Sequence, residues 1–278
     1  MIPGVLIGHW TDSDARTGCT VVVLPDGATA SGEVRGGAPA TRELELLAPH
    51  RTVDQVDAIV LAGGSTFGLA ACDGVTRWLE EHGRGFPTPA GRVPIVPGMA
   101  LYDLAVGDAS VRPGAEQGYA ACEAAHGGPP ETGPVGAGTG ATIDKWRGPE
   151  YARPGGLGAA LEGTASLLVA AVVAVNAIGE LRHSAVTEVA PEAVRLANPF
   201  ESTTIGAIVT NARLSKSDCL LVAQSGHDGI ARAIEPAHTA YDGDALVAAS
   251  CGDVEAEPEQ VRMLAARAVE GAIREALR

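Results

Sequence analysis

Short apolar runs that end on glycine or asparagine alternate along this chain with longer stretches in which charged and apolar positions share one helical repeat. VDAIVLAGG (Val56 to Gly64) reads as a buried strand closing on a glycine turn. GLAACDGVTRWLEEHG, which follows it, reads as a helix stopped at Gly83. RVPIVPG predicts a short strand, AEQGYAACEAA a helix and SLLVAAVVAVN a long continuous strand. Further on, Ile205 to Asn211 predicts a strand, Ser217 to Ile234 a helix and ALVAAS a strand. The last helix, from Glu259 onward, sets Val261, Leu264, Ala265, Ala268, Ala272 and Ile273 on one face, with arginine and glutamate on the other. The pattern is mixed α and β, and no period of about 20–50 residues marks a solenoid.

One polar interruption stands out from this pattern. GELRHSAVTEVAPEAVRLANPFES, residues 179 to 202, is charged, carries two prolines and separates two strongly apolar strands, so it reads as a surface loop. Its far end is a hydroxyl triplet, Ser202, Thr203 and Thr204, at the mouth of the next strand. Such a triplet serves a strand edge or a helix cap in many chains. It also meets the requirement of an N-terminal-nucleophile hydrolase. Cleavage before a hydroxyl residue frees an α-amine on that residue's own backbone, and an amine of pKa about 7.7–8.0 can act as its general base.

Composition narrows the choice of partners. With 46% apolar residues, 278 residues suffice for one large core or two small ones. The net charge of −14, from 34 acidic and 20 basic residues, repels phosphate backbones and anionic lipid, so no nucleic acid and no membrane partner is expected. The longest apolar stretch, Ala165 to Val175, is too short to span a bilayer. The N-terminus shows no basic n-region, and a cytoplasmic location is expected. Five cysteines (Cys19, Cys72, Cys122, Cys219, Cys251) are scattered singly and read as small core residues. Thirty-six glycines with only 4% aromatics permit close backbone approach between layers.

Other motifs give little chemistry. GAGTGA (Gly136 to Ala141) has glycines in a dinucleotide-like run but no acidic partner about 20 residues on, and a backbone anion nest or oxyanion lining is the better expectation. GGSTFG has Phe67 where a nucleophile elbow needs its second glycine, so Ser65 is expected to cap the helix beginning near Gly68. The seven histidines are dispersed, and His227 and His238, eleven apart, give no ligand spacing; no catalytic metal is expected.

Eight ordered stretches carry a family resemblance across nearly the whole chain: GHWTD, RTGCTVV, VRGGAPATRE, IVLAGGSTFGLAACDGV, LYDLAVGD, VGAGTGATIDKW, VNAIG and TTIGAIVTNARLSK. Together they resemble the L-aminopeptidase/D-esterase family, whose relatives include β-peptidyl aminopeptidases and the nylon-oligomer endohydrolase. The resemblance implies an α/β/β/α sandwich, like that of N-terminal-nucleophile hydrolases but with its own connectivity. It also implies a single hydrolase domain over 1–278, self-cleaved into an α chain of 1–202 and a β chain of 203–278 that stay associated. No cofactor is implied, and the resemblance implies a homo-oligomer, a tetramer of αβ units. The family's nucleophile falls on Thr203, its tyrosine on Tyr102, its lysine on Lys145 and its asparagine on Asn176, while two acidic positions of the nylon-hydrolase branch fall on Asp242 and Asp244.

In that frame Thr203 attacks the carbonyl and Asn176 donates its amide to the oxyanion, where one donor is worth about 3–4 kcal/mol. Tyr102 and Lys145 tune the hydroxyl or amine, and Asp242 and Asp244 hold the amine or order Thr204. Without the resemblance, Lys145 reads as an exposed loop charge, Tyr102 as a core aromatic, Asn176 as a turn residue and Asp242-Gly-Asp244 as a plain turn. Family members commonly carry asparagine before the nucleophile and this chain carries Ser202, which leaves cleavage before Ser202 as a second register. The expected activity is release of N-terminal residues from short peptides, or cleavage of short amides. A non-catalytic homologue binding amino-acid-like amides is the alternative, and a dinucleotide-binding oxidoreductase is a distant third.

Overall fold

The computed structural model describes residues 2–182 and 202–278, so most of the 179–202 linker lies outside the described residues. Ten strands build the two large sheets: β1 (Leu6–Asp12), β2 (Thr17–Val23), β3 (Thr29–Val34), β4 (Thr41–Arg42), β5 (Ala58–Ala62), β6 (Gly98–Ala100), β7 (Gly156–Gly163), β8 (Leu168–Asn176), β9 (Thr203–Ala212) and β10 (Ala245–Val254). Four α-helices accompany them among the described residues: α1 (Ala71–Glu81), α2 (Ala115–Glu123), α3 (Lys216–Ala233) and α4 (Pro258–Ala276). The first sheet runs β1-β2-β5-β6-β4 and the second β7-β8-β9-β10-β3. In each, one parallel pair, β5 with β6 or β9 with β10, sits among antiparallel neighbours.

Strand periodicity explains why the long runs are apolar throughout. Along β8, Ala170, Val172 and Ala174 enter a cluster with Val22, Ile59, Leu61 and Met99 of the first sheet. The alternate residues Val169, Ala171, Val173 and Val175 enter a second cluster with residues of α3 and α4. Both faces are dry, so both parities must be hydrophobic. The first sheet does the same with α1 and α2, through Val21, Val60 and Ala62 against Cys72, Val75, Leu79 and Cys122. Small residues set the spacing: a Cβ on Gly158 of β7 would lie 1.8 Å from the Ala272 carbonyl oxygen of α4. The α4 face expected from the sequence is the buried one, with Val261, Ala265, Ala268, Ala272 and Ile273 inside and Leu264 packed at its rim.

Three expectations need correction. RVPIVPG is not one strand: Gly91–Val93 pairs with Phe86–Thr88 in a small ribbon, and pairing resumes only at β6, because Pro94 and Pro97 remove the amides a ladder needs. Ser65 does not cap a helix; it opens a 3-10 turn (Ser65–Ala70) at φ 53° and donates its amide to the Leu101 carbonyl. The amides of GAGTGA form no open nest, since Gly136 N–H goes to the Thr11 hydroxyl at 2.8 Å and Ala137 N–H to Thr20 at 3.1 Å. Its glycines serve contact instead: a Cβ on Gly138 would lie 2.1 Å from the Leu157 amide nitrogen. Among the described residues, no helix is long and apolar enough to cross a membrane.

Candidate active site

The hydroxyl triplet is wedged between the ends of two strands. Thr203 opens β9 opposite Asn176, the last residue of β8, and Ser202 bridges to Asp242 just ahead of β10. Ser202, Thr203 and Thr204 are all buried. The Thr203 hydroxyl donates to the carbonyl oxygen of Ser202 at 2.5 Å, across the peptide bond that joins them. The Gly243 amide donates to that same oxygen at 2.9 Å. One carbonyl oxygen therefore accepts both the Thr203 hydroxyl and a main-chain amide.

Asn176 is wholly buried and works as a hub. Its Oδ1 accepts from Lys145 Nζ at 3.0 Å and from the Thr142 amide at 2.9 Å, while its Nδ2 donates to the Tyr102 carbonyl at 3.1 Å. Lys145 Nζ also donates to the Asn176 carbonyl at 3.1 Å. The reading of Lys145 as an exposed loop charge is thereby overturned, since it is 5% exposed. The backbone explains why: Asp144 takes a left-handed φ of 65°, and the amides of Asp144, Lys145 and Trp146 strap onto the Gly179 and Ile178 carbonyls at 2.9, 2.9 and 3.0 Å. That strap turns the lysine inward toward β8. Tyr102 reaches the site through its main-chain carbonyl, with its side chain half-buried.

Asp242 and Asp244 are both buried and do not form a plain surface turn. Asp244 Oδ1 accepts the Thr204 amide at 2.6 Å, which pins the residue after the candidate nucleophile. Asp242 Oδ2 accepts the Thr239 amide at 2.8 Å and hydroxyl at 2.7 Å. Burial first, and the neighbouring Asp244 second, push the Asp242 carboxyl well above the ordinary carboxylate range.

Two features escaped the sequence. Asp103, next to Tyr102, is buried and accepts from the Thr17 hydroxyl and the Gly64 amide, each at 2.7 Å, tying the Tyr102 loop to the turn after β5. Burial, only partly offset by those bonds, raises its pKa. A Cβ on Gly63 would sit 2.0 Å from Asp103 Oδ2, so the double glycine after β5 was its only local trace. The second feature is His227 and His238, whose rings meet edge to face at 4.9 Å. No group of three metal-ligating side chains forms among the described residues.

Comparison with known proteins places this geometry. The chain is 43% identical to an uncharacterized aminopeptidase of Mycobacterium leprae, over 92% of this chain and 78% of that protein. It is 32% identical to a 6-aminohexanoate-oligomer endohydrolase of Agromyces sp., over 91% of this chain and 74% of that protein. A beta-aminopeptidase of Burkholderia sp. superposes with a TM-score of 0.75 at 26% identity, covering 99% of this chain and 84% of its own. The model of peptidase family S58 matches residues 2–278, taking in both sheets and every residue of the Thr203 neighbourhood, and the chain belongs to that family.

Proposed function

We propose that this chain is the precursor of an N-terminal-threonine amidohydrolase that cuts its own Ser202–Thr203 bond and then hydrolyses short peptides or amides. The observation that carries the reading is the Ser202 carbonyl, met by the Thr203 hydroxyl at 2.5 Å and by the Gly243 amide at 2.9 Å. In self-cleavage, Thr203 Oγ bonds to the Ser202 carbonyl carbon and the Ser202–Thr203 C–N bond breaks. The hydroxyl proton passes to the departing nitrogen, leaving an ester. Water then hydrolyses that ester, giving a carboxylate on Ser202 and a free amine and hydroxyl on Thr203. The developing oxyanion lies on the atom that Gly243 N–H already holds, which is the placement electrostatic catalysis needs.

In turnover the Thr203 amine takes the hydroxyl proton and Oγ attacks the substrate carbonyl. Lys145 rests on Asn176, the register partner of Thr203, and there its positive charge favours the unprotonated amine by like-charge repulsion. One Asn176 amide hydrogen goes to Tyr102, so Asn176 sets the position of Lys145 in addition to its expected oxyanion role. Asp244 orders Thr204 through its amide, and Asp242 closes the 239–242 turn beside it.

The reading includes an α/β/β/α sandwich, supported by one apolar cluster between the sheets and one under each helix pair. It also includes a single domain of two associated chains, 1–202 and 203–278, a cytoplasmic location and a homo-oligomer of αβ units, without a cofactor. The names of the relatives favour aminopeptidase or oligoamide hydrolysis as the substrate class. Intact mass and N-terminal sequencing test the proposal: wild type should yield fragments 1–202 and 203–278, and Thr203→Ala should stay whole. A wild-type chain that remains whole at neutral pH, or a new terminus at Ser202, would overturn the Thr203 assignment.

A further inference from the structure

The histidine pair behind the nucleophile strand shows an uneven distribution of partners. His238 Nδ1 faces Asp244 Oδ2 at 2.8 Å, and its Nε2 faces the His227 carbonyl at 3.1 Å. Both partners are acceptors, so both ring nitrogens must donate, and only the imidazolium has two N–H groups. A neutral tautomer would leave one nitrogen lone pair directed at an oxygen lone pair. His227 has the opposite arrangement. Its Nε2 faces the Glu33 carbonyl at 3.2 Å while its Nδ1 is buried with no hydrogen-bond partner, so a neutral ring needs only its one N–H, on Nε2.

His238 is also held against Asp244 twice. Its own amide donates to the same Oδ2 at 3.3 Å, and its φ of 56° is a left-handed conformation that a non-glycine residue keeps only when its surroundings hold it. The other oxygen, Asp244 Oδ1, accepts the Thr204 amide at 2.6 Å. One carboxylate thus joins a charged ring to the backbone of residue 204.

We infer that His238 is a positioning residue, held as an imidazolium, that fixes the Asp244 carboxylate and through it the backbone of Thr204 and the Thr203 nucleophile. The inference rests on the Thr203 reading for its catalytic consequence, but the charge on His238 does not depend on it. The groups around the ring come from every element packed there. Asp244 and Asp242 lie on the segment before β10, His227 on α3, Glu33 on β3 and Arg35 just after it, with Arg35 bonded to Glu33 at 2.7 Å. Burial and Arg35 oppose the charge, yet the Asp244 carboxylate and the His227 carbonyl outweigh them and hold the His238 pKa above its ordinary value. On His227, burial and then His238 act in the opposite direction.

Two measurements test this. Ring-nitrogen NMR of the Thr203→Ala chain, with His238→Gln in that background used for assignment, should show both His238 nitrogens protonated at pH 7.5, where a histidine of pKa 6.5 is mostly neutral. A single N–H tautomer at that pH overturns the inference. For the second, self-cleavage rates of wild type should fall on the alkaline side with the same midpoint as the His238 ring. His238→Gln should abolish that limb and slow cleavage about tenfold at pH 7, while leaving KM of the mature enzyme unchanged. A wild-type rate and wild-type pH profile in His238→Gln also overturn it. Were wild type never to cleave, the Thr203 reading would fall while the NMR result still decided the charge. Cleavage with a neutral His238 would remove the present inference alone.

Discussion

Alanine at position 243 is the smallest change that separates the chemistry at Ser202 from the folding around it. A Cβ there would lie 2.8 Å from Thr203 Oγ, 2.8 Å from the Ala38 carbonyl oxygen and 3.3 Å from Pro39 Cα. The Ala38 side cannot retreat easily, because residues 35 to 38 are laced to this segment by Arg35 N–H and Gly36 N–H on the Asp244 carbonyl at 2.9 and 3.2 Å and by Ala38 N–H on Asp242 at 2.9 Å. The Thr203 hydroxyl or the Gly243 amide must give way. Either movement breaks the pairing on the Ser202 carbonyl. Overpacking of one methyl costs about 1–3 kcal/mol of stability. Loss of one oxyanion donor slows acyl chemistry about 10²–10³-fold. Gly243→Ala should therefore remain folded, with its Tm lowered by several degrees, and cleave at least about 10²-fold more slowly. Intact-mass time courses on freshly purified precursor, beside calorimetry of the same samples, measure both quantities. A folded Gly243→Ala chain processed at the wild-type rate would refute the role given to this amide.

Lys145→Ala removes a buried donor from two acceptors of Asn176, and Asn176→Ala removes the hub itself. Each should lower both self-cleavage and kcat by about 10²-fold or more, and kcat measured on co-expressed 1–202 and 203–278 fragments separates turnover from processing. Near-native turnover in both variants would take the two residues out of the mechanism. Asp244→Asn turns an acceptor of three donors into a group that must direct an NH₂ at one of them, so it should cost about 2–3 kcal/mol in urea unfolding. An unchanged urea midpoint would count against the description of that carboxylate. His227 is held neutral, with burial pushing its pKa down to about 4 from 6.5. The unfolded chain therefore binds the extra proton, so this contribution is full above pH 6.5 and is lost as pH falls toward 4, up to about 3 kcal/mol in all. His227→Gln should flatten the stability profile in that window, and an unchanged slope would contradict the burial argument.

Much of the architecture was legible because local periodicity reports which faces of an element are dry. β5, β8, β9, β10 and all four helices lie where the apolar pattern set them, within a few residues at the ends. β3 and β7 gave no such signal on their own. Gly156–Gly163 reads GLGAALEG and Thr29–Val34 reads TASGEV, and both owe their extension to partners across the sheet, not to their own propensity.

The candidate site divides along the same line. The chain alone determined that a hydroxyl triplet follows a charged linker at the start of an apolar strand, and the resemblance named Thr203, Asn176, Lys145, Tyr102, Asp242 and Asp244. Only the tertiary structure decided what each touches. Lys145 and Asn176 are 31 residues apart, Thr204 and Asp244 are 40 apart, and Asn176 and Tyr102 are 74 apart. Pairings over such distances follow from strand register and from the strap at Asp144, neither of which leaves a periodic mark in the sequence. The same holds for His227 and His238. Eleven positions apart, they looked unrelated, and it is the return of the chain from α3 toward β10 that brings their rings to 4.9 Å and gives one a carbonyl and the other a carboxylate.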